Sequence, residues 1–168
     1  MRKKNTRLMC ISAIFTALVF VVTAYLHIPT NNGYIHVGDG LIYLAACILP
    51  LPYAMAVGAG GALLADCLTG FVIWAPGSVI IKALTVLLFT NQSKKIMSVR
   101  NQIAMFPATV ICAGGYYLYE SILYGNWISS LAGIPASFTQ SVTSSILFVV
   151  MGVAFDKINL KNKLNGGF

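Results

Sequence analysis

Long apolar runs, separated by short polar or turn-forming segments, dominate the chain. The breaks at 29–33, 50–52 and 124–126 contain proline, glycine or asparagine, residues that end or separate helices. The second and third runs are short, which indicates helices that are tilted or partly buried behind others. The pattern predicts six helices, at about Leu8–Leu26, Gly40–Leu49, Tyr53–Leu68, Pro76–Thr90, Ile103–Leu123 and Ser137–Phe155.

The composition indicates that these helices lie in a membrane. Hydrophobic residues make up 58% of the chain and charged residues 9%, against about 25% charged residues in soluble domains. A spanning helix needs about 20 residues, so six spans and their connections fill 168 residues. The sequence therefore predicts one all-α integral membrane domain over residues 1–168. No set of catalytic residues is recognisable, so we expect no enzymatic activity, and an energy source must be an ion gradient or a partner.

The positions of the basic residues predict the topology. Cytoplasmic loops collect lysine and arginine, and with six spans ten of the eleven basic residues fall on one side. Both termini are then cytoplasmic, and the net charge of +7 is explained by topology and by anionic lipid rather than by nucleic acid. The ten residues are Arg2, Lys3, Lys4, Arg7, Lys94, Lys95, Arg100, Lys157, Lys161 and Lys163.

Four ionisable residues remain in or beside the predicted helices. They are Asp39, Asp66, Lys82 and Glu120, and such groups are costly at membrane depth unless they are paired or functional. The helix directions place all four in the extracellular third, where they could line one binding site. A structural ion pair of Lys82 with Asp66 or Glu120 is the alternative.

Aromatic and amide side chains accompany these charges. Trp74, Tyr116 and Gln140 fall at the same predicted depth, and aromatic faces with a few polar groups suit a flat heterocycle. An aromatic belt at the membrane interface would explain some of the aromatic residues equally well. The segment 34–40 adds His36 and Asp39, which could form a loop that closes over a ligand, unless Asp39 is only a helix N-cap. We predict no metal and no cofactor.

Small residues recur at helical spacing in two places. Ala13 and Ala17 form a pair on the first predicted helix, and Ala54, Gly58, Gly61, Ala62 and Ala65 form a stripe on the third. Such patterns allow helices to approach closely, within the chain or against a partner.

Taken together, these features resemble the substrate-binding S component of an energy-coupling factor (ECF) transporter. The resemblance implies capture of a vitamin or vitamin precursor at the extracellular face of a prokaryotic cell membrane. It also implies partners, namely a transmembrane coupling subunit, which Ala13 and Ala17 would face, and two cytoplasmic ATPases. The segments that carry it are the alanine pair, Tyr34-Ile35-His36-Val37-Gly38-Asp39, Ala65-Asp66, Trp74-Ala75-Pro76 and Ile80-Ile81-Lys82.

The loop and the Trp-Ala-Pro segment look most similar to the branch of riboflavin, pyridoxine and hydroxymethylpyrimidine carriers. Because the polar residues are few and mixed in charge, we expect a small pyridine or pyrimidine as ligand. The rival hypothesis is an ion-coupled transporter or channel that uses Asp66, Lys82 and Glu120 as a relay. The chain has no ionisable residue in the inner half of the predicted helices, which disfavours that relay.

Overall fold

A computed structural model describes residues 2–30 and 33–165 of the chain. Two strands, β1 (His27–Thr30) and β2 (Gly33–His36), follow the first helix. Short 3₁₀ turns at Val72–Trp74 and Leu131–Gly133 precede two of the other helices. The helices are α1 (Arg2–Tyr25), α2 (Asp39–Ile48), α3 (Leu51–Leu68), α4 (Ala75–Val86), α5 (Val99–Tyr124), α6 (Trp127–Ser130), α7 (Ile134–Lys157) and α8 (Leu160–Asn165).

Helix α2 lies at the centre of the bundle. All ten of its residues are buried, and it contacts α1, α3, α4 and α7. The longer helices surround it, with α1 packed on α3, α3 on α4, α4 on α5 and α5 on α7. The short second helix of the sequence pattern is therefore buried behind the others, one of the two arrangements that its length left open.

Prolines and one glycine set several of the helix ends. Leu49 is extended before Pro50, as is usual before proline, and this separates α2 from α3. Pro76 lies in the first turn of α4, where its missing N–H costs nothing. Gly125 has φ +62° and ends α5, because a left-handed residue at a helix C-terminus favours glycine. Asn126 then caps α6 by accepting the N–H groups of its first turn.

The two groups of small residues lie in different environments. The stripe on α3 is buried in the bundle, and a Cβ atom on Gly61 would lie 2.5 Å from Val19 Cγ1 of α1. Ala13 and Ala17, in contrast, are exposed on α1, whose Phe15 and Val19 are buried. The chain thus uses the α3 stripe for its own packing and leaves the alanine pair on the surface.

The prediction of an all-α fold is wrong in one place. Strands β1 and β2 form an antiparallel hairpin in which His27 pairs with His36. Neither strand shows a clear alternation of apolar and polar residues, whereas the sequence Asn31-Asn32-Gly33 is typical of a tight turn; residues 31 and 32 lie outside the described residues. The hairpin follows α1 and leads directly to α2.

Helix α4 ends at Val86, one turn before the predicted Thr90. The Asn101 side chain explains the early end, because it accepts the Thr90 N–H at 2.9 Å and donates to the Thr90 carbonyl at 3.1 Å and the Ile96 carbonyl at 3.0 Å. These bonds hold segment 87–98 as a connection rather than a helix.

Hydrogen bonds join the two terminal segments to each other and hold the C-terminal one against segment 87–98. The Arg7 guanidinium donates to the Lys163 carbonyl at 3.2 Å, and Lys161 Nζ donates to the Ser93 carbonyl at 2.6 Å. The Asp156 carboxylate accepts two backbone N–H groups of the segment, those of Ile96 and Met97. We call this end of the bundle the termini end and the opposite end, which carries β1 and β2, the hairpin end.

Three helical stretches in the described residues are long and apolar enough to span a membrane, at Asn5–Tyr25, Leu51–Leu68 and Trp127–Lys157. The last joins α6, the second 3₁₀ turn and α7. Shorter apolar stretches are Asp39–Ile48 and Val72–Val86. At 1.5 Å per residue, the ten residues of α2 cover about 15 Å, half of a bilayer core. The chain is thus a helical membrane protein, and a count of six spans stays a prediction.

Candidate functional site

A cavity of about 80 Å³ lies at the hairpin end, beneath β2 and between the helices. Its walls come from α1, α2, α3, α4, α5, α7 and the Trp74 turn. All of the side chains that the sequence predicted as ligand-binding line it, although their binding of a ligand stays a prediction. They are His36, Asp39, Asp66, Trp74, Lys82, Tyr116, Glu120 and Gln140.

A buried ion pair forms the floor of this cavity. Lys82 Nζ lies 2.8 Å from Asp39 Oδ1 and 2.9 Å from Asp39 Oδ2, and both side chains are 2% exposed. Gln140 Nε2 of α7 donates to Asp39 Oδ2 at 3.1 Å. The pair therefore joins α2 to α4, and the amide adds α7.

This pairing corrects two sequence-based alternatives. The structural partner of Lys82 is Asp39, not Asp66 or Glu120, because α4 packs against the central helix α2 at this level. Asp39 is also not an N-cap, since Gly38 has that position without a side-chain hydrogen bond. The Asp39 carboxylate is directed at Lys82 instead.

A second carboxylate, that of Asp66, lies in the wall formed by the end of α3. Tyr34 of β2 donates its hydroxyl to Asp66 Oδ1 at 2.6 Å. Burial raises the pKa of Tyr34, and the Asp66 charge raises it further, so the phenol stays protonated and can donate. The bond connects the hairpin to the helix bundle.

Aromatic rings form another wall. Trp74 lies with its ring centroid 6.3 Å from that of Tyr116 and 6.0 Å from that of Tyr119. The Lys82 ammonium lies 5.0 Å from the Tyr116 ring centroid, a cation–π distance. The Tyr116 hydroxyl lies 3.0 Å from Ser78 Oγ. The wall therefore combines flat apolar faces with polar edges, as a binding site for a planar ring requires.

His36 closes the cavity from the hairpin. Its Nδ1 atom accepts the Gly38 N–H at 3.1 Å, and its carbonyl accepts from Ser144 Oγ at 3.4 Å. The pKa of His36 is lowered to about 4, chiefly by burial. The Asp39 charge opposes this change, and the Lys82 charge adds to it. The imidazole is therefore neutral at neutral pH. Gly38 is required here, because a Cβ atom would lie 2.1 Å from Thr23 Oγ1.

Glu120 enters the cavity from the far side. It is 4% exposed, and a Cβ atom on Gly133 would lie 2.7 Å from its Oε2 atom. The helix α5 thus presents a carboxylate to the start of α7. In the described part of the chain, no three histidine, cysteine, aspartate or glutamate residues lie together as metal ligands would.

Sequence reasoning did not include Thr23, Tyr34 and Ser78 in the site, although all three line the cavity. Ser78 lies one turn before Lys82 on α4, and residues four apart share a helix face, so this spacing could have identified it. Tyr34 belongs to the segment that contains His36. Thr23 shows only as a polar residue near the end of an apolar helix, which is a weak signal.

Comparison with known families assigns the chain to a class of protein. Residues 3–157 match the family described as ECF-type riboflavin transporter, S component. The chain belongs to this family. No curated protein matches the sequence at a significant level. The resemblance seen in the sequence is confirmed at the level of the family, but not at the level of the pyridoxine-like or hydroxymethylpyrimidine-like branch.

Membership defines the general role of this S component. It is a membrane-embedded, substrate-binding subunit of an ECF transporter for a vitamin, and it associates with components of an ECF module. The role is that of a transporter subunit and not that of an enzyme, and the family implies the prokaryotic cell membrane.

Proposed function

We propose that this S component captures a small pyridine or pyrimidine vitamin or precursor from the extracellular side. It then delivers the ligand for ATP-driven uptake through a transmembrane coupling subunit and two cytoplasmic ATPases. The observation that carries the proposal is the cavity at the hairpin end, which combines an aromatic wall, a buried ion pair and a covering hairpin. Its 80 Å³ is below the ~300 Å³ of the smallest drug-sized sites, which favours a single ring.

We propose six spans with both termini in the cytoplasm. Support comes from the termini end, where Arg7 contacts Lys163 and Lys161 contacts Ser93. Basic segments that are distant in sequence therefore lie on one side of the bundle. In a variant without native cysteines, an impermeant maleimide should label a cysteine at Asn126 in intact cells. A cysteine at Ser93 should stay unlabelled until the cells are opened, and its labelling in intact cells would contradict this topology.

The exposed alanine pair supports docking of the coupling subunit on α1. Ala13 and Ala17 are exposed, and small residues allow a second helix to approach closely. Their helix also lines the cavity through Val19 and Thr23. One helix would therefore contact both the ligand and the coupling subunit.

Native mass spectrometry tests the ligand directly. The protein is purified from cells grown in rich medium, and we expect one copy of a small heterocycle to leave with it and to be identified by mass. Titration calorimetry with pyridoxine and with 4-amino-5-hydroxymethyl-2-methylpyrimidine then gives affinities. Absence of binding to every vitamin tested would contradict the proposed role.

Riboflavin is a second candidate ligand, because the matched family is described by that vitamin. A flavin has three fused rings and a ribityl chain, so it requires the cavity to widen by movement of the hairpin. Riboflavin in the same titrations separates the two candidates. Proton-driven accumulation in vesicles that contain this chain alone would instead support the ion-coupled transporter.

A further inference from the structure

Among the described residues, two buried oxygen atoms in the cavity wall have neither a hydrogen-bond partner nor an ion pair. They are Asp66 Oδ2 and Thr23 Oγ1, on residues that are 4% and 3% exposed. Both residues line the cavity. A buried polar atom without a partner costs free energy, so these two positions call for a ligand that donates hydrogen bonds.

The charges that line the cavity also favour a ligand that donates hydrogen bonds. Three carboxylates, those of Asp39, Asp66 and Glu120, share the lining with one ammonium group, that of Lys82. Lys82 is already engaged by both oxygens of Asp39. In the described residues no ion pair involves Asp66, and its Oδ1 atom is held by the neutral donor Tyr34.

An anionic ligand would fit this wall badly. It would add negative charge next to Asp66, and the Lys82 ammonium group in the lining is already paired with Asp39. A cationic N–H group that approaches the unpartnered Asp66 Oδ2 atom would instead form a charge-assisted hydrogen bond, which is about twice as strong as a neutral one. Trp74 and Tyr116 offer ring faces that favour a planar cation.

We propose that Asp66 is the specificity-determining residue of the site and selects a protonated, planar nitrogen heterocycle by accepting its N–H at Oδ2. Thr23 Oγ1 accepts a second donor, such as an exocyclic amine or a hydroxymethyl group. This inference rests on the proposed function and narrows it to ring systems of the aminopyrimidine or pyridinium type. A neutral flavin would leave the Asp66 charge without a counter-ion.

The test compares two ligands of one shape. The first is 4-amino-5-hydroxymethyl-2-methylpyrimidine at mildly acidic pH, where it is largely protonated. The second is the benzene analogue with the same substituents, in which C–H replaces both ring nitrogens. Calorimetry on the wild-type protein should show at least tenfold tighter binding of the pyrimidine. Because this measurement needs no substitution, it does not depend on how well a variant folds.

Asp66→Asn then identifies the residue responsible. The amide keeps an oxygen for the Tyr34 hydroxyl, so the fold is retained, but the negative charge is gone. We expect the tenfold preference for the pyrimidine to disappear. Asp156→Asn, the same change at the termini end, should keep the preference, because Asp156 binds backbone N–H groups of segment 87–98 and lies outside the cavity lining.

The outcomes separate this inference from the proposed function. Equal binding of the two ligands, or a preference that survives Asp66→Asn, overturns the role of Asp66 while leaving a vitamin-binding S component in place. Tight binding of riboflavin with no pyrimidine binding has the same consequence. Failure of every heterocycle to bind overturns both. Loss of the preference in Asp66→Asn alone supports the inference.

Discussion

Lys82 and Asp39 form an ion pair with almost no solvent exposure, and breaking such a pair leaves one charge buried. Lys82→Met should therefore reduce the free energy of unfolding by about 3–5 kcal/mol. The double variant Lys82→Met, Asp39→Leu should recover most of that loss, since no uncompensated charge remains. Denaturant unfolding in detergent measures both. Equal stability losses in the single and double variants would contradict the pairing.

Ligand affinity in the double variant shows whether the same pair also binds the ligand. If it does, the double variant should fold and bind at least about tenfold more weakly, a change of roughly 1.4 kcal/mol. Full affinity would make the pair structural only and remove both residues from the proposed site. Lys161→Met is the matched control, because this buried lysine contacts Ser93 at the termini end.

His36 gives the fold a pH dependence whose sign follows from its burial. Its pKa falls from 6.5 to about 4, so between these values the unfolded chain binds the extra proton and the folded chain does not. Stability should decrease as the pH falls from 6.5 to 4, by about 3 kcal/mol in total. Thermal unfolding across this range measures it.

Substitution of each histidine assigns the effect. His36→Gln should flatten the stability profile between pH 6.5 and 4, because the group that titrates only in the unfolded chain is removed. His27→Gln changes the other histidine of the chain and should leave the His36 contribution in place. An unchanged profile in His36→Gln would assign the pH dependence to other groups.

The sequence locates the residues of the site better than it pairs them. Ionisable residues are few, so Asp39, Asp66, Lys82 and Glu120 stand out, and the membrane cost of each one marks it as a candidate. The partner of Lys82 depends on which helix α4 packs against. That order is set by the burial of α2 at the centre, which no local pattern specifies.

At the scale of elements, the contact between α1 and α3 depends on one of two adjacent glycines. A Cβ atom on Gly61 would lie 2.5 Å from Val19 Cγ1, whereas one on Gly60 would lie 3.7 Å from Thr16 Cγ2, an ordinary contact. Gly61→Ala should therefore cost about 1–3 kcal/mol of stability through overpacking. Gly60→Ala should cost much less, and comparable melting temperatures for the two variants would contradict this packing.

Helix positions were predictable because proline and glycine mark their ends locally. Pro50, Pro76 and Gly125 all lie at helix boundaries, as the sequence indicated. The hairpin was missed because its two strands have four residues each, too few for a clear alternating pattern. The early end of α4 arises from a bond to Asn101, eleven residues beyond Thr90, and such a contact has no local signal.

At the scale of the whole molecule, the ligand cavity and the exposed alanine pair lie on different parts of the bundle. The cavity lies beneath the hairpin, and the basic segments gather at the termini end. The alanine pair lies on the outside of α1, on a helix whose Val19 and Thr23 line the cavity. Capture of the ligand and docking of the coupling subunit would thus use different faces of the same helix, so a substitution can affect one without the other.

Bulky residues at the alanine pair test this separation. Ala13→Leu, Ala17→Leu should leave ligand affinity unchanged, because neither residue lines the cavity. The same variant should reduce co-purification with the co-expressed coupling subunit and ATPases at least tenfold, since close helix contact needs small side chains. Ala154→Leu, an exposed alanine on α7, is the matched control and should assemble normally. Normal assembly of the α1 variant would place the docking surface elsewhere, whereas a loss of ligand affinity would mean that the two faces of α1 are not independent.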